Sequence, residues 1–198
     1  IAMDIKMSSP YPHGSSLLKL MRLTSPSLPI GGYSYSQGLE FAVSSGWVHD
    51  MSTTSDWIQG LLKHSIMNVD LPIFVRLYKS WKGDNIEKVS YWNDFLIASR
   101  DSFELQEEDH QMGKALARLL VDLGLDKAKP FLHAPYGCFL TLFSLAAERW
   151  NISLDDAANG FLWMWAENKV LCAMKLIPLG QTDGQKILSA IIETISQA

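Results

Sequence analysis

Cysteine is nearly missing from this chain of 198 residues. The two present, Cys138 and Cys172, stand far apart and in no C-x-x-C pair, which excludes a disulfide framework and a cysteine-rich zinc site. Positive charge is also scarce: 17 Lys and Arg against 21 Asp and Glu leave a net charge of −4, so no nucleic-acid partner is expected. No G-x-x-x-x-G-K-[ST] run exists, so the chain is not itself a P-loop nucleotide hydrolase. The histidines form no H-x-x-x-H or H-E-x-x-H pair, and Glu107 with His110 is a single Glu-x-x-His where a di-metal carboxylate site needs two. No metal and no cofactor are expected. No signal-peptide pattern is seen, and the cytoplasm is the expected compartment.

Long apolar runs are limited to one. Residues 130–147 carry no Lys, Arg, Asp or Glu, but Pro130, His133, Pro135, Gly137, Thr141 and Ser144 interrupt them. That pattern predicts a buried core helix from about Ala134 to Trp150 and no membrane span. Strand-like alternation and internal repeats are absent as well.

Hydrophobic residues make up 47% of the chain and charged ones 19%, enough for one domain with a sizeable core. Residues 1–14 are polar, aperiodic and carry two prolines, and read as a flexible arm. Residues 15–198 read as a single all-α domain, a bundle of about eight to ten helices. Trp57, Ile58, Leu61, Leu62 and Ile66 mark one helix, with caps expected at Ser52–Thr54. Asp70 and Pro72 read as the cap and early proline of the next, and Asp84 as a further cap. Met112, Leu116, Leu119, Leu120 and Leu123 define a long helix opened by Ser102. The acidic run Glu104–Asp109 lies mostly off that leucine face and reads as a solvated surface. Ser153 and Asp156 form a capping-box pattern, and Leu188, Ile191, Ile192 and Ile195 line the last helix.

Two stretches break the helical pattern. Ser25–Glu40 reads SPSLPIGGYSYSQGLE, with prolines that forbid a helix interior, paired glycines, and Ser34 or Ser36 placed to cap the next helix. Ile177–Gly184 reads IPLGQTDG. Ser34, Ser36, Thr182 and Asp183 have no histidine near them in sequence, so no catalytic residue is assigned and the chain is not expected to be an enzyme.

The pattern L-x-L-x-S-P-x-L-P-I-G-x-Y-S-Y-S-x-G-L-E, ending at Glu40, resembles the UreF family of urease accessory proteins. Lys175–Lys186 (KLIPLGQTDGQK) is similar to that family's second signature, and Ala98-Ser-Arg100, Glu104-Leu105 and Gln111-Met-Gly113 match its central helix. The resemblance spans about residues 16–190. It implies an all-helical homodimer that joins UreD (also called UreH) and UreG on the urease apoprotein, as a chaperone in GTP-dependent nickel insertion. It implies partner contacts at Pro29, Gly31, Gly32, Tyr33, Ser36, Gln37, Glu40, Lys175, Gln181, Thr182, Asp183 and Gln185, and a homodimer contact at Asn159 and Trp163 in a segment apolar nearly all round. The two stretches are expected to pack together into one surface facing UreG, with Gln37, Glu40, Lys175 and Asp183 exposed. The alternative is a GTPase-activating protein that lends Arg100 to UreG as an arginine finger; the other reading of Arg100 is an ion pair with the acidic helix start beside it. A nickel carrier finds no support in the ligand inventory. Gln106 stands where the family pattern has Arg. The resemblance also implies a basic, aromatic tail that docks onto UreD; here Ser196, Gln197 and Ala198 follow Ile195, and folding and dimerisation are expected without a tail.

Overall fold

The computed structural model describes residues 14–32, 35–133 and 137–197; of the expected arm, only Gly14 falls within them. Among the described residues the chain is all-α, with nine α-helices and no strand. They are α1 (Gly14–Leu23), α2 (Leu39–Ser44), α3 (Met51–Leu61), α4 (Leu71–Lys82), α5 (Ile86–Ala98), α6 (Phe103–Asp122), α7 (Phe139–Arg149), α8 (Leu154–Leu176) and α9 (Gln181–Ser196). A 3₁₀ segment, Asp126–Leu132, follows α6. Within these residues no helix is long and apolar enough to cross a membrane.

The uncharged helix is the centre. Every residue from Phe139 to Ala147 in α7 is buried, as the lack of charge predicts. Phe143 meets Phe74 of α4 at 5.9 Å and Phe161 of α8 at 6.0 Å, and Phe74 meets Phe161 at 6.2 Å. Three helices therefore share one aromatic knot, and each such ring removed from water contributes about 1.5–3 kcal/mol. Trp81 adds a polar tie, its indole N–H donating to the Thr141 carbonyl at 3.0 Å.

Helix α7 begins at Phe139, later than Ala134, and its N-cap residue Cys138 makes no side-chain cap bond. Its orphan first-turn donors are met from outside. Asn93 of α5 accepts from the Cys138 backbone N–H at 3.0 Å and from the Thr141 hydroxyl at 2.9 Å, and Asp109 of α6 accepts from the Phe139 N–H at 3.2 Å.

Local signals hold at several ends. Ser102 accepts from the Leu105 N–H and Ser153 from the Asp156 N–H. Others shift by a few residues: Asp50, reciprocally bonded to Thr53, caps α3 instead of Ser52–Thr54, and Asn85 caps α5 instead of Asp84, which pairs with Lys127 and Arg149. Gly38, not a serine, precedes α2. The larger difference is at Asp70. Helix α3 does not stop before it; the ladder widens into a π-helix over Leu62–Asp70 and runs on into α4. Pro72 has no donor for an α ladder, and a π stretch absorbs such a break without ending the helix. Asp70 is helical, makes no cap bond and is buried.

Two glycines inside helices separate tight packing from loose packing. A Cβ on Gly113 of α6 would run into the Gly137 carbonyl, whereas one on Gly60 of α3 would meet nothing within 4 Å. Gly113→Ala should lower stability by about 1–3 kcal/mol through overpacking. Gly60→Ala should raise it by about 0.5–1 kcal/mol through reduced chain entropy. Urea unfolding midpoints of the two variants beside the parent check both signs.

Candidate functional site

Leu28 and Ile30 are buried and pin the first punctuated stretch to the core, while Pro29 between them is exposed. Gly31 turns the chain with φ 76°, and a Cβ on Gly32 would press on Met112 of α6 at 3.0 Å. Tyr33 and Ser34 lie outside the described residues. From there the stretch is held by polar bonds. Lys169 of α8 donates to the Tyr35 carbonyl at 2.9 Å. The Gln37 amide bridges two helices, donating to Glu108 Oε1 at 2.8 Å and accepting from the Trp165 indole at 3.1 Å. Gln37 is thus half-buried and turned inward, at φ 50°, and not the exposed contact expected of it.

The second stretch caps α9. Asp183 accepts from the Gly180 N–H at 3.3 Å and faces Lys186 at 3.6 Å, so this half-buried carboxylate has a local structural task. Gly184 is buried, with Met174 of α8 where a side chain would stand. The two stretches meet at the C-terminal end of α8. Leu39, Ala42 and Val48 form one small apolar cluster with Cys172, Ala173 and Ile177, and Leu179 packs on it. The contact therefore runs through α2, just beyond the loop. Around it Glu40, Lys175, Gln181, Thr182 and Gln185 are exposed, and Ser36 is half-buried.

Behind the first stretch lies a cleft of about 740 Å³ with a charged floor. Arg100 donates to both oxygens of Asp70, Nη2 to Oδ1 at 2.7 Å and Nη1 to Oδ2 at 3.1 Å, and through Nε to Asp109 at 2.7 Å. Glu108, Asp109, Asp70 and Lys169 are all buried. This corrects the reading of Glu104–Asp109 as a solvated run: its last two carboxylates turn inward, Asp109 to Arg100 and the Phe139 N–H of α7, and Glu108 to Gln37. Arg100 pairs with Asp109 at that acidic end and also with Asp70. Each of its three nitrogens donates to a buried carboxylate, so service as a finger would require breaking these bonds.

The field in the cleft has clear signs. Burial alone would draw the Arg100 guanidinium down, but Asp109 and Asp70 more than offset it and hold it above its usual range. Burial pushes the Asp70 carboxyl up, with Arg100 opposing, and does the same to Glu108 against Lys169 and Gln37. Burial pulls the Lys169 ammonium down to about 8, with Glu108 opposing. Among the described residues no group of three or more His, Cys, Asp or Glu is placed to hold a metal. A set of two cations and three carboxylates on four elements is suited to fixing register and binding polar groups, and supplies no nucleophile–base pair.

The family model for UreF matches residues 48–192. The urease accessory protein UreF of Alkalilimnicola ehrlichii is 46% identical over 192 residues, 97% of this chain and 84% of that protein. Its counterpart in Teredinibacter turnerae is 47% identical over 181 residues, 91% and 81%. The chain belongs to the UreF family.

The second UreF-like signature falls inside the family match and the first precedes it. Gln106, where the family pattern has Arg, donates to the Ile97 carbonyl at 3.3 Å and ties α6 to the end of α5. Asn159 is exposed; Trp163 is half-buried and packs on the main core. The neighbouring Gly160 leaves no room for a side chain against Leu20 of α1, so α1 covers part of this apolar segment.

Lys169 gives the site a pH signature. Its folded value lies near 8, below the ordinary 10.5, so the folded chain binds this proton less tightly than the unfolded one. Its penalty is full below pH 8 and fades as pH rises toward 10.5. Lys169→Met removes the penalty at every pH. The stability of the variant relative to the parent should therefore fall by about 3 kcal/mol between these limits, at 1.36 kcal/mol per unit, whatever its offset from loss of the Tyr35 bond. Paired urea titrations across that range read it, and a constant difference would refute the assignment.

Proposed function

We propose that this chain is the adaptor of a UreD–UreF–UreG assembly on apo-urease, a chaperone that holds UreG, the nickel-delivering GTPase, in place. The observation that carries the reading is the meeting of the two punctuated stretches at the end of α8. One small apolar cluster there supports exposed Glu40, Lys175, Gln181, Thr182 and Gln185. Such polar residues on a fixed base suit a contact rim, where charge sets partner choice and orientation. The arginine-finger alternative has no observation behind it, because Arg100 would first have to leave two buried carboxylates.

Asp183 is a poor test position because its loss would uncap α9. Glu40→Ala/Lys175→Ala/Gln185→Ala alters exposed residues only. With purified UreD present, this variant should bind UreG at least about tenfold more weakly than the parent, as expected for loss of about 1.4 kcal/mol. Undiminished co-elution of UreG would remove this face from the contact.

A homodimer through Asn159 and Trp163 belongs to the same proposal. Asn159 is exposed, while Trp163 is half in the core, so a charge at 163 would disturb folding and association together. Asn159→Arg is the cleaner probe. It should give a folded chain of half the parent's mass by light scattering, and an unchanged mass would place the dimer contact elsewhere.

A further inference from the structure

Two aromatic rings stand in solvent between α2 and α3. Phe41 is 62% exposed and Trp47 59%, and they meet edge to face at 5.4 Å. Trp47 also lies 6.4 Å from Trp57 of α3. The turn that carries Trp47 is held at both ends. Gly46, at φ 74°, closes α2, and the Trp47 and Val48 N–H groups both donate to the Ala42 carbonyl at 2.9 and 3.2 Å. Val48 is buried in the small apolar cluster, and the Asp50–Thr53 box opens α3 immediately after. The rings are therefore fixed before anything binds, which lowers the ordering cost of association. Scattered apolar residues on a surface are ordinary; two large rings locked together and exposed are the usual form of an interface anchor.

The surrounding charge is mainly negative. Residues 23–62 contain no Lys or Arg. Glu40 adjoins Phe41, Asp50 follows the Trp47 turn and Asp56 adjoins Trp57, and all three are exposed. From the facing end of α8, Lys175 is the exposed cation next to Ile177 of the shared cluster. Three carboxylates against one ammonium around an apolar centre favour a basic partner.

We propose that the Phe41–Trp47 pair anchors a protein-docking surface whose occupant is an apolar segment of a partner flanked by Lys or Arg. The proposal rests on the adaptor reading and adds to it an apolar anchor and the chemistry of what it receives. The acidic rim orients the segment and the two rings bury its apolar centre.

The test uses the full chain with purified UreD and UreG, added separately and together, by calorimetry at low and high salt. Phe41→Ser/Trp47→Ser should keep the parent's helical spectrum and mass, since both rings are mostly exposed. It should bind one of the two partners at least about 30-fold more weakly. Asp56→Lys should weaken the same partner several-fold, and salt should weaken the parent's binding of it. If the double variant binds both partners as the parent does, the inference fails while the adaptor reading stands. A change in the double variant's own mass would identify a second copy as the occupant and overturn the proposal. If the parent binds neither partner, the adaptor reading fails and the inference with it.

Discussion

Most of the structure depends on the sharing of Arg100 between Asp70 and Asp109. All three side chains are largely removed from water, and a buried carboxylate left without its cation costs several kcal/mol. Asp109 also satisfies the first turn of α7, so the same carboxylate joins the ion cluster to the central helix. Four segments are fixed by this one arrangement: the π stretch, the end of α5, α6 and α7. A slide of α6 by one turn would strand two charges and uncap the helix on which the aromatic knot is built. An apolar replacement of similar volume at Asp109 would leave the Phe139 N–H without its acceptor, so the cluster is not exchangeable for a plain apolar contact. The ions contribute register, and they place charge at the floor of a cleft.

Glu108 and Lys169 extend that set onto α8. Lys169 is the one cation of the mostly buried segment 161–173 of α8, and it is tied to the Tyr35 carbonyl and the field of Glu108. The loop above is attached by the Lys169 bond and the Gln37 bridge, with Leu28 and Ile30 as its apolar pins. A loop so attached has a defined position but little buried apolar area of its own.

The helices were legible from sequence wherever apolar periodicity or a serine cap marked them, as in α6, α8 and α9. The uncharged run announced the buried α7, although its first turn could not be placed because its caps come from Asn93 and Asp109, distant in sequence. The charged floor was largely illegible for the same reason. Asp70 before Pro72 has the local form of a cap, and only the continuing π-helical ladder turns it toward Arg100. Glu108 and Asp109 sit in an acidic run that is solvated by default, and nothing local says that Gln37, Arg100 and the first turn of α7 meet its end. Lys169 left one readable trace, a single cation in the apolar segment 161–173, which periodicity alone passes over. Gln37 looked like a surface residue because its partners, Glu108 and Trp165, lie far along the chain.

The proposed partner face stands apart from this central machinery. Leu39, Ala42, Val48, Cys172, Ala173 and Ile177 form a cluster distinct from the main core, joined to it through the shared packing of Trp57 and Leu179. The rings of the aromatic knot lie on α4, α7 and α8 upstream of Cys172, so the small core and the knot share no side chain. The long α8 is the shared member, contributing Phe161 to one core and Cys172 and Ala173 to the other.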